Sequence, residues 1–165
     1  MEAKNVSYSE KQRFSQWWLW LILIGAASIP FFGLYYQIGL DRPFGNNPLS
    51  DTGLMIFAVL MIAFLGFFFL MRLNLTLDKE GITVRFFPFF KRAVKWAQVE
   101  HLQVVNYGFV GGYGIRLTHR FGTVYNMSGR WGLLIYLEGG KRFCVGTRNR
   151  DELRQLLKTM DLKQT

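Results

Sequence analysis

Hydrophobic and polar positions follow three patterns along the chain, and each predicts a different kind of structure. The first is unbroken apolarity. No charge occurs in the twenty-seven residues between Arg13 and Asp41, nor in the eighteen of residues 54–71, LMIFAVLMIAFLGFFFLM. Eighteen helical residues at about 1.5 Å each cover roughly 27 Å, close to the hydrocarbon thickness of about 30 Å. Phe57, Phe64, Phe67, Phe68 and Phe69 sweep round that helix among Leu, Ile and Met, so no face keeps a polar stripe, as lipid contact requires. The chain is therefore expected to span a membrane twice, at about residues 17–38 and 54–71. Trp17, Trp18 and Trp20 at one end of the first span, and Tyr35 and Tyr36 at the other, match aromatic belts at the two headgroup levels. This stretch is too long for the hydrophobic core of a signal peptide, so no cleavage is expected. Gly25, Ala26, Ala27 and Ser28 offer a small-residue face for the second span.

The second pattern is polar and turn-rich. Residues 39–53, GLDRPFGNNPLSDTG, read as a loop between antiparallel spans. That loop holds one basic residue, Arg42, whereas Lys4, Lys11 and Arg13 precede the first span and Arg72, Lys79 and Arg85 follow the second. The bias places the loop outside and both termini in the cytoplasm of a cell's inner membrane. Residues 1–15 then form a cytoplasmic tail, 16–72 a two-span hairpin, and 73–165 a cytoplasmic domain.

The third pattern is alternation, and it fills that domain. Leu73, Leu75 and Leu77 alternate with polar residues, Lys79-Glu80-Gly81 turns the chain, and Ile82, Val84 and Phe86 alternate back. Further short strands are expected at residues 93–96, 99–107, 115–118, 124–127, 133–137 and 143–146, separated by glycine-bearing turns. Seven or eight strands with turns every eight to twelve residues predict a small antiparallel barrel or sandwich. The period then changes once more. Leu153, Leu156, Leu157 and Met160 recur at helical spacing, with Asn149 and Glu152 placed as a capping box, so one C-terminal helix is expected to cap the barrel.

Composition alters this picture only through charge. Of 165 residues, half are hydrophobic, and the net charge is +9. From Leu73 onward fifteen Lys and Arg stand against seven Asp and Glu. In a chain with spans, such a surplus points to an anionic leaflet before nucleic acid, the more so because the aromatic residues fall at alternating core positions rather than on a stacking platform. Arg85, Lys91, Arg92 and Lys95 lie on one predicted hairpin close to the membrane exit, and form the candidate lipid-facing patch. Gly111, Gly112, Tyr113, Gly114 and Arg116 form a candidate partner loop.

Catalytic and cofactor chemistry finds little support. Cys144 stands alone, so the chain has no internal disulfide and no thiolate cluster, which suits a reducing compartment. His101 and His119 have no neighbouring Cys or carboxylate cluster, and no metal site is assigned. The glycine run at 108–114 lacks the Lys-Ser/Thr ending of a P-loop and leads into a strand, not a phosphate-binding helix, and no cofactor is assigned. Ser128 has no GxSxG elbow.

Several segments resemble a family. LTLDKEGITVRF at 75–86, GGYGIR at 111–116, VYNMSG at 124–129 and GGKRFCVGTRNRDEL at 139–153, behind a two-span hairpin, resemble bacterial membrane-anchored proteins with a pleckstrin-homology-like (PH-like) domain, over residues 73–160. The resemblance implies a PH-like barrel with a capping helix and carries no catalytic residues. It implies a membrane-tethered binding or scaffolding module for a protein partner or anionic lipid, and the placement of the aromatic residues argues against nucleic acid as a partner. The alternative is a small membrane enzyme with its site at the Gly111–Gly114 loop and the barrel mouth.

Overall fold

The structure, a computed structural model, describes residues 7–160; residues 1–6 of the expected tail and 161–165 of the expected domain lie outside it. The chain divides into two compact units, one of residues 15–70 and one that joins residues up to Phe14 with those from Met71 onward.

The first unit is a helical hairpin. α1 (Trp17–Leu34) continues as a π-helical turn at Tyr35–Gly39, and α2 covers Asp51–Leu70. Both helices are long and apolar enough to cross a membrane. Their seam is narrow: Ala27, Pro30 and Gly33 on α1, and Leu54 and Ala58 on α2, are buried. Gly33 is needed there, because a Cβ would sit 2.9 Å from a Phe44 ring carbon and 3.1 Å from Leu54. Of the expected small-residue face only Ala27 takes part in the seam, and Gly25 has open space about it. Near the other end Trp20 meets Phe69 edge-on, which fixes the helices as antiparallel. Exposed Leu, Ile and Phe cover the remaining faces.

The second unit holds nine strands among the described residues, in two sheets, followed by a helix. β1 (Tyr8–Gln12), β2 (Arg72–Leu77), β3 (Gly81–Phe87) and β4 (Phe90–Lys95) form one sheet in that order. β5 (Val99–Asn106), β6 (Gly114–Thr118), β7 (Gly122–Asn126), β8 (Trp131–Leu137) and β9 (Arg142–Thr147) form the other, in the order β5-β8-β9-β7-β6. α3 (Arg150–Thr159) packs against β5 and β8.

Four expectations are corrected. First, the sheet does not close as a barrel: the short helical turn Trp96–Gln98 carries the chain from β4 into the other sheet, and β4 does not pair with β5. An open groove of about 390 Å³, lined by Arg92, Val94, Gln98, Leu137, Glu138 and Lys141 among others, lies along β4. Second, the pairing is not wholly antiparallel. The β8–β9 hairpin returns β9 into the slot beside β7, and these two strands run parallel. Third, the expected tail supplies a strand. Tyr8, Glu10 and Gln12 alternate as buried positions, and β1 pairs antiparallel with β2 from Tyr8↔Leu77 to Gln12↔Leu73. Fourth, Asn149 does not form the capping box through its oxygen; its amide donates to Glu152 at 3.1 Å, and its backbone N–H donates to Thr147 Oγ1 at 3.0 Å.

The core lies between the sheets. Leu73, Leu75, Leu77, Ile82, Val84 and Phe86 of one, with Leu102, Leu133, Ile135, Phe143 and Val145 of the other, are fully or nearly fully buried, as are Leu153 and Leu157 of α3. Two cation–π contacts hold the helix in place: the guanidinium groups of Arg150 and Arg154, one helical turn apart, each lie 4.9 Å from the centre of the Trp131 ring.

Candidate functional site on the four-stranded sheet

The pleat of a strand sends successive side chains to opposite faces, so pairing register decides which cations share a surface. Arg85 and Lys91 are register partners in β3 and β4, both exposed on the outer face. Arg92 is not with them. It pairs with Val84, turns to the inner face, and lays its guanidinium 4.2 Å from the centre of the Phe143 ring. Lys95 faces outward but pairs with Gly81, at the opposite end of the strands and beside the Asp78–Glu80 turn; four residues of strand put it about 13 Å from Lys91. The four residues grouped by sequence thus occupy three places.

Register also adds residues that proximity in sequence conceals. Lys11 pairs with Asn74, Asn74 with Arg85, and Arg85 with Lys91, so one row crosses all four strands on the outer face and carries three cations. Strands about 4.8 Å apart make that row roughly 14 Å wide. Arg72 stands in the next row, paired with Phe87. No Asp or Glu occupies an outward position on these strands. Among the described residues the ion pair present is Arg150 with Asp151 in α3, so the row keeps its charge. The signal for Lys11 was the alternation of Tyr8, Glu10 and Gln12, masked because two of the three buried residues are polar.

This row sits at a particular end of the sheet. Gln12, where β1 leaves, pairs with Leu73, the second residue of β2; Leu73 also pairs with Phe86, and Phe86 with Phe90 across the β3–β4 turn. Both points at which the chain departs for and returns from the helical hairpin therefore lie beside the β3–β4 tip. At that tip Phe86 and Phe90 stack at 6.1 Å and turn inward, Phe90 reaching the Tyr125 ring at 4.7 Å. Phe87 and Phe89 are left 38% and 54% exposed, with Pro88 between them. The Arg85 guanidinium lies 5.7 Å from the Phe87 ring centre.

β1 is held by a polar seam that no hydrophobic pattern would reveal. The Glu10 carboxylate is 6% exposed. It accepts hydrogen bonds from Tyr8 Oη at 2.7 Å, Thr147 Oγ1 at 2.6 Å and the Arg148 backbone N–H at 2.8 Å. Gln12 Nε2 donates to the Gly146 carbonyl at 2.6 Å. Burial, reinforced by the neighbouring carboxylate, pushes the Tyr8 hydroxyl well above its ordinary range. The first strand is thus bolted to the end of the last.

The expected partner loop has a different character. Gly112 adopts a φ of +121°, and Arg116 folds back over it to donate to the Tyr113 carbonyl at 3.2 Å, so this arginine clips its own loop. Gly111 and Gly114 have open space about them. β6, which follows, is an edge strand paired with β7 alone, and exposes Ile115 and, at 86%, Leu117. His101 stacks on Tyr136 at 3.9 Å, and His119 lends its carbonyl to Arg142. Ser128 is buried and accepts from Arg148 Nε at 2.8 Å. No group of three His, Cys, Asp or Glu able to hold a metal ion occurs among the described residues. No family model matches this chain, and no curated protein matches it.

Proposed function

We propose that the chain is a membrane-tethered binding or scaffolding module, with a PH-like domain held at the cytoplasmic face of the inner membrane and its outer sheet face turned to anionic headgroups. The observation that carries this reading is the acid-free row of Lys11, Arg85 and Lys91, with Arg72 beside it, at the sheet end where both connections to the helical hairpin are made. Cations near an anionic leaflet contribute about 1 kcal/mol each within a Debye length. Tethering raises their effective concentration, so a weak attraction suffices to orient the domain. The β1–β2 pairing supports two crossings: residues 12 and 73 share a sheet and so share a side of any membrane between them. Two mostly antiparallel sheets followed by one C-terminal helix agree with a PH-like plan, although the parallel β7–β9 pairing is a departure from the antiparallel expectation.

A chain joining residues 7–14 to 71–160 through a Gly/Ser linker keeps every described strand and tests the reading by vesicle sedimentation. It is expected to bind anionic vesicles at low ionic strength and to weaken with salt. Lys11→Glu with Arg85→Glu and Lys91→Glu should cost about 3 kcal/mol or more, roughly a hundredfold in affinity, whereas Lys95→Glu should change little. Equal binding by all three proteins would refute the proposal. A protein partner is the second reading, favoured by the open edge of β6 with Leu117 in solvent, a ready template for an added strand.

A further inference from the structure

Building on the headgroup-facing sheet just proposed, we infer that the β3–β4 tip, Phe87-Pro88-Phe89, is an interfacial wedge that enters an anionic bilayer at the boundary between headgroups and acyl chains. Three independent features converge on it. The tip is apolar and partly exposed: Phe87, Pro88 and Phe89 keep accessible surface, although the Phe89 ring also lies 5.6 Å from that of Phe86, while Phe86 and Phe90 stack inward behind the turn. The tip is ringed by cations on its own sheet, with Arg85 and Lys91 one row back, Lys11 in the same row and Arg72 as the register partner of Phe87. It also lies at the sheet end where the chain enters from Leu70, the last residue of α2, two residues before Arg72. A bilayer crossed by that helix is within reach of the wedge by chain length alone.

The chemistry selects a membrane over other occupants. Aromatic side chains backed by Arg and Lys are the composition of surfaces that lie in the interface, where rings displace water between headgroups and the cations pair with phosphates and carboxylates above them. A second copy of the same face would bring Lys11, Arg85 and Lys91 against their own like charges, since no acid lies on the outward strand positions. The wedge adds what the cation row lacks, a contribution that salt does not screen. The two devices then divide the work: charges orient the sheet, and the tip fixes its depth, about 5–10 Å below the headgroup level.

The test uses the full chain reconstituted in vesicles of mixed anionic and zwitterionic lipid. Cys144 is fully buried, so Phe89→Cys introduces the one accessible thiol for an environment-sensitive fluorophore. Lys79→Cys, on the turn at the far end of the same sheet, is the control. The label at 89 is expected to shift to the blue, to lose most of its emission to nitroxide groups carried high on the lipid acyl chains, and to resist aqueous iodide. The label at 79 should do the reverse. A label at 89 that iodide quenches and lipid nitroxide does not would overturn the wedge. A label shielded from both would overturn it equally, and would assign the tip to a protein contact. Phe87→Cys provides a second site should residue 89 tolerate the dye poorly, with the same outcomes. The two proposals fail separately: if the tip stays in water while Lys11→Glu, Arg85→Glu and Lys91→Glu still abolish vesicle binding of the spliced domain, the charged face stands without the wedge. If the tip is lipid-quenched even in that triple variant, the wedge stands without the charges.

Discussion

The two sheets of the domain bury themselves in different ways. In the four-stranded sheet one face is core and the other is solvent: Leu73, Leu75 and Leu77 go in, and Arg72, Asn74 and Thr76 go out. In the five-stranded sheet the central strands are covered on both faces. Leu133, Ile135, Phe143 and Val145 meet the main core, while Leu134, Cys144 and Val124 form a second cluster under Tyr107 and Phe121, with Val105, Val110 and Tyr136 packed around it. The segment leading into the expected partner loop thus serves as a lid, since Tyr107 and Val110, both before Gly111, pack on this cluster. What remains free for recognition on the five-stranded sheet is its β6 edge, whereas the four-stranded sheet offers a whole face.

This difference can be broken by mutation, and the largest effect is expected in the second cluster. Leu134→Ala should destabilise the spliced domain by about 2–5 kcal/mol in urea unfolding, as a buried leucine does when its cavity cannot collapse. Thr83→Ala, on the outer face of the other sheet, should stay within about 0.5 kcal/mol. If both cost the same, the two faces are not different in kind.

Next comes the seam of β1. Glu10→Ala leaves the donors of Tyr8, Thr147 and Arg148 without their acceptor and should cost about 2–4 kcal/mol, with early loss of amide protection in β1. Lys11→Ala, one residue on but outward, should leave stability unchanged within about 0.5 kcal/mol. Equal effects at 10 and 11 would mean that β1 is not docked.

The smallest effect within reach of routine conditions is alkaline. Burial pushes the Cys144 thiol from 9.0 up to about 12, and burial also pushes the Tyr107 hydroxyl from 10.0 up to about 12. Both groups are held in their protonated forms when folded and release protons more readily when unfolded. Their contribution is therefore complete below about pH 9 and is lost as pH rises toward 12. Stability should fall by about 2 kcal/mol by pH 10 and more steeply beyond. Cys144→Ala should delay the onset toward pH 10. A flat profile would show that the second cluster is open to water.

How far the sequence carried can be judged from particular residues. The alternation of Leu73 to Phe86 located the first hairpin within a residue or so, because one face is core and the other polar, and the charge-free runs located both long helices. β1 escaped because the positions it buries are Tyr8, Glu10 and Gln12, whose reason for burial is a Glu10 carboxylate that accepts from Thr147 and Arg148, and a Gln12 amide that donates to Gly146, far along the chain. The site was legible in part. Arg85 and Lys91 share a row, but Arg92, adjacent in sequence to Lys91, falls on the inner side with Val94, as the strand's period of two requires. Lys11 could join the row only once β1 had a register. The parallel slot of β9 and the open groove beside β4 depend on which strands pair, and local pattern does not specify that choice.

The bolt between the first strand and the last also sets an order of events during synthesis. β1 emerges about sixty residues before the strand it pairs with, a wait of roughly 3–12 s at about 5–20 residues per second. Glu10 waits longer still, until Thr147 and Arg148 have been made. Both long helices are translated in that interval. A chain that had threaded one of them and not the other would strand β1 and β2 on opposite sides of the bilayer, and the sheet could never be completed. If the two helices cross a bilayer as proposed, closure of the β1–β2 pair requires that both have been placed, and a chain with one helix misplaced is left with an unpaired strand.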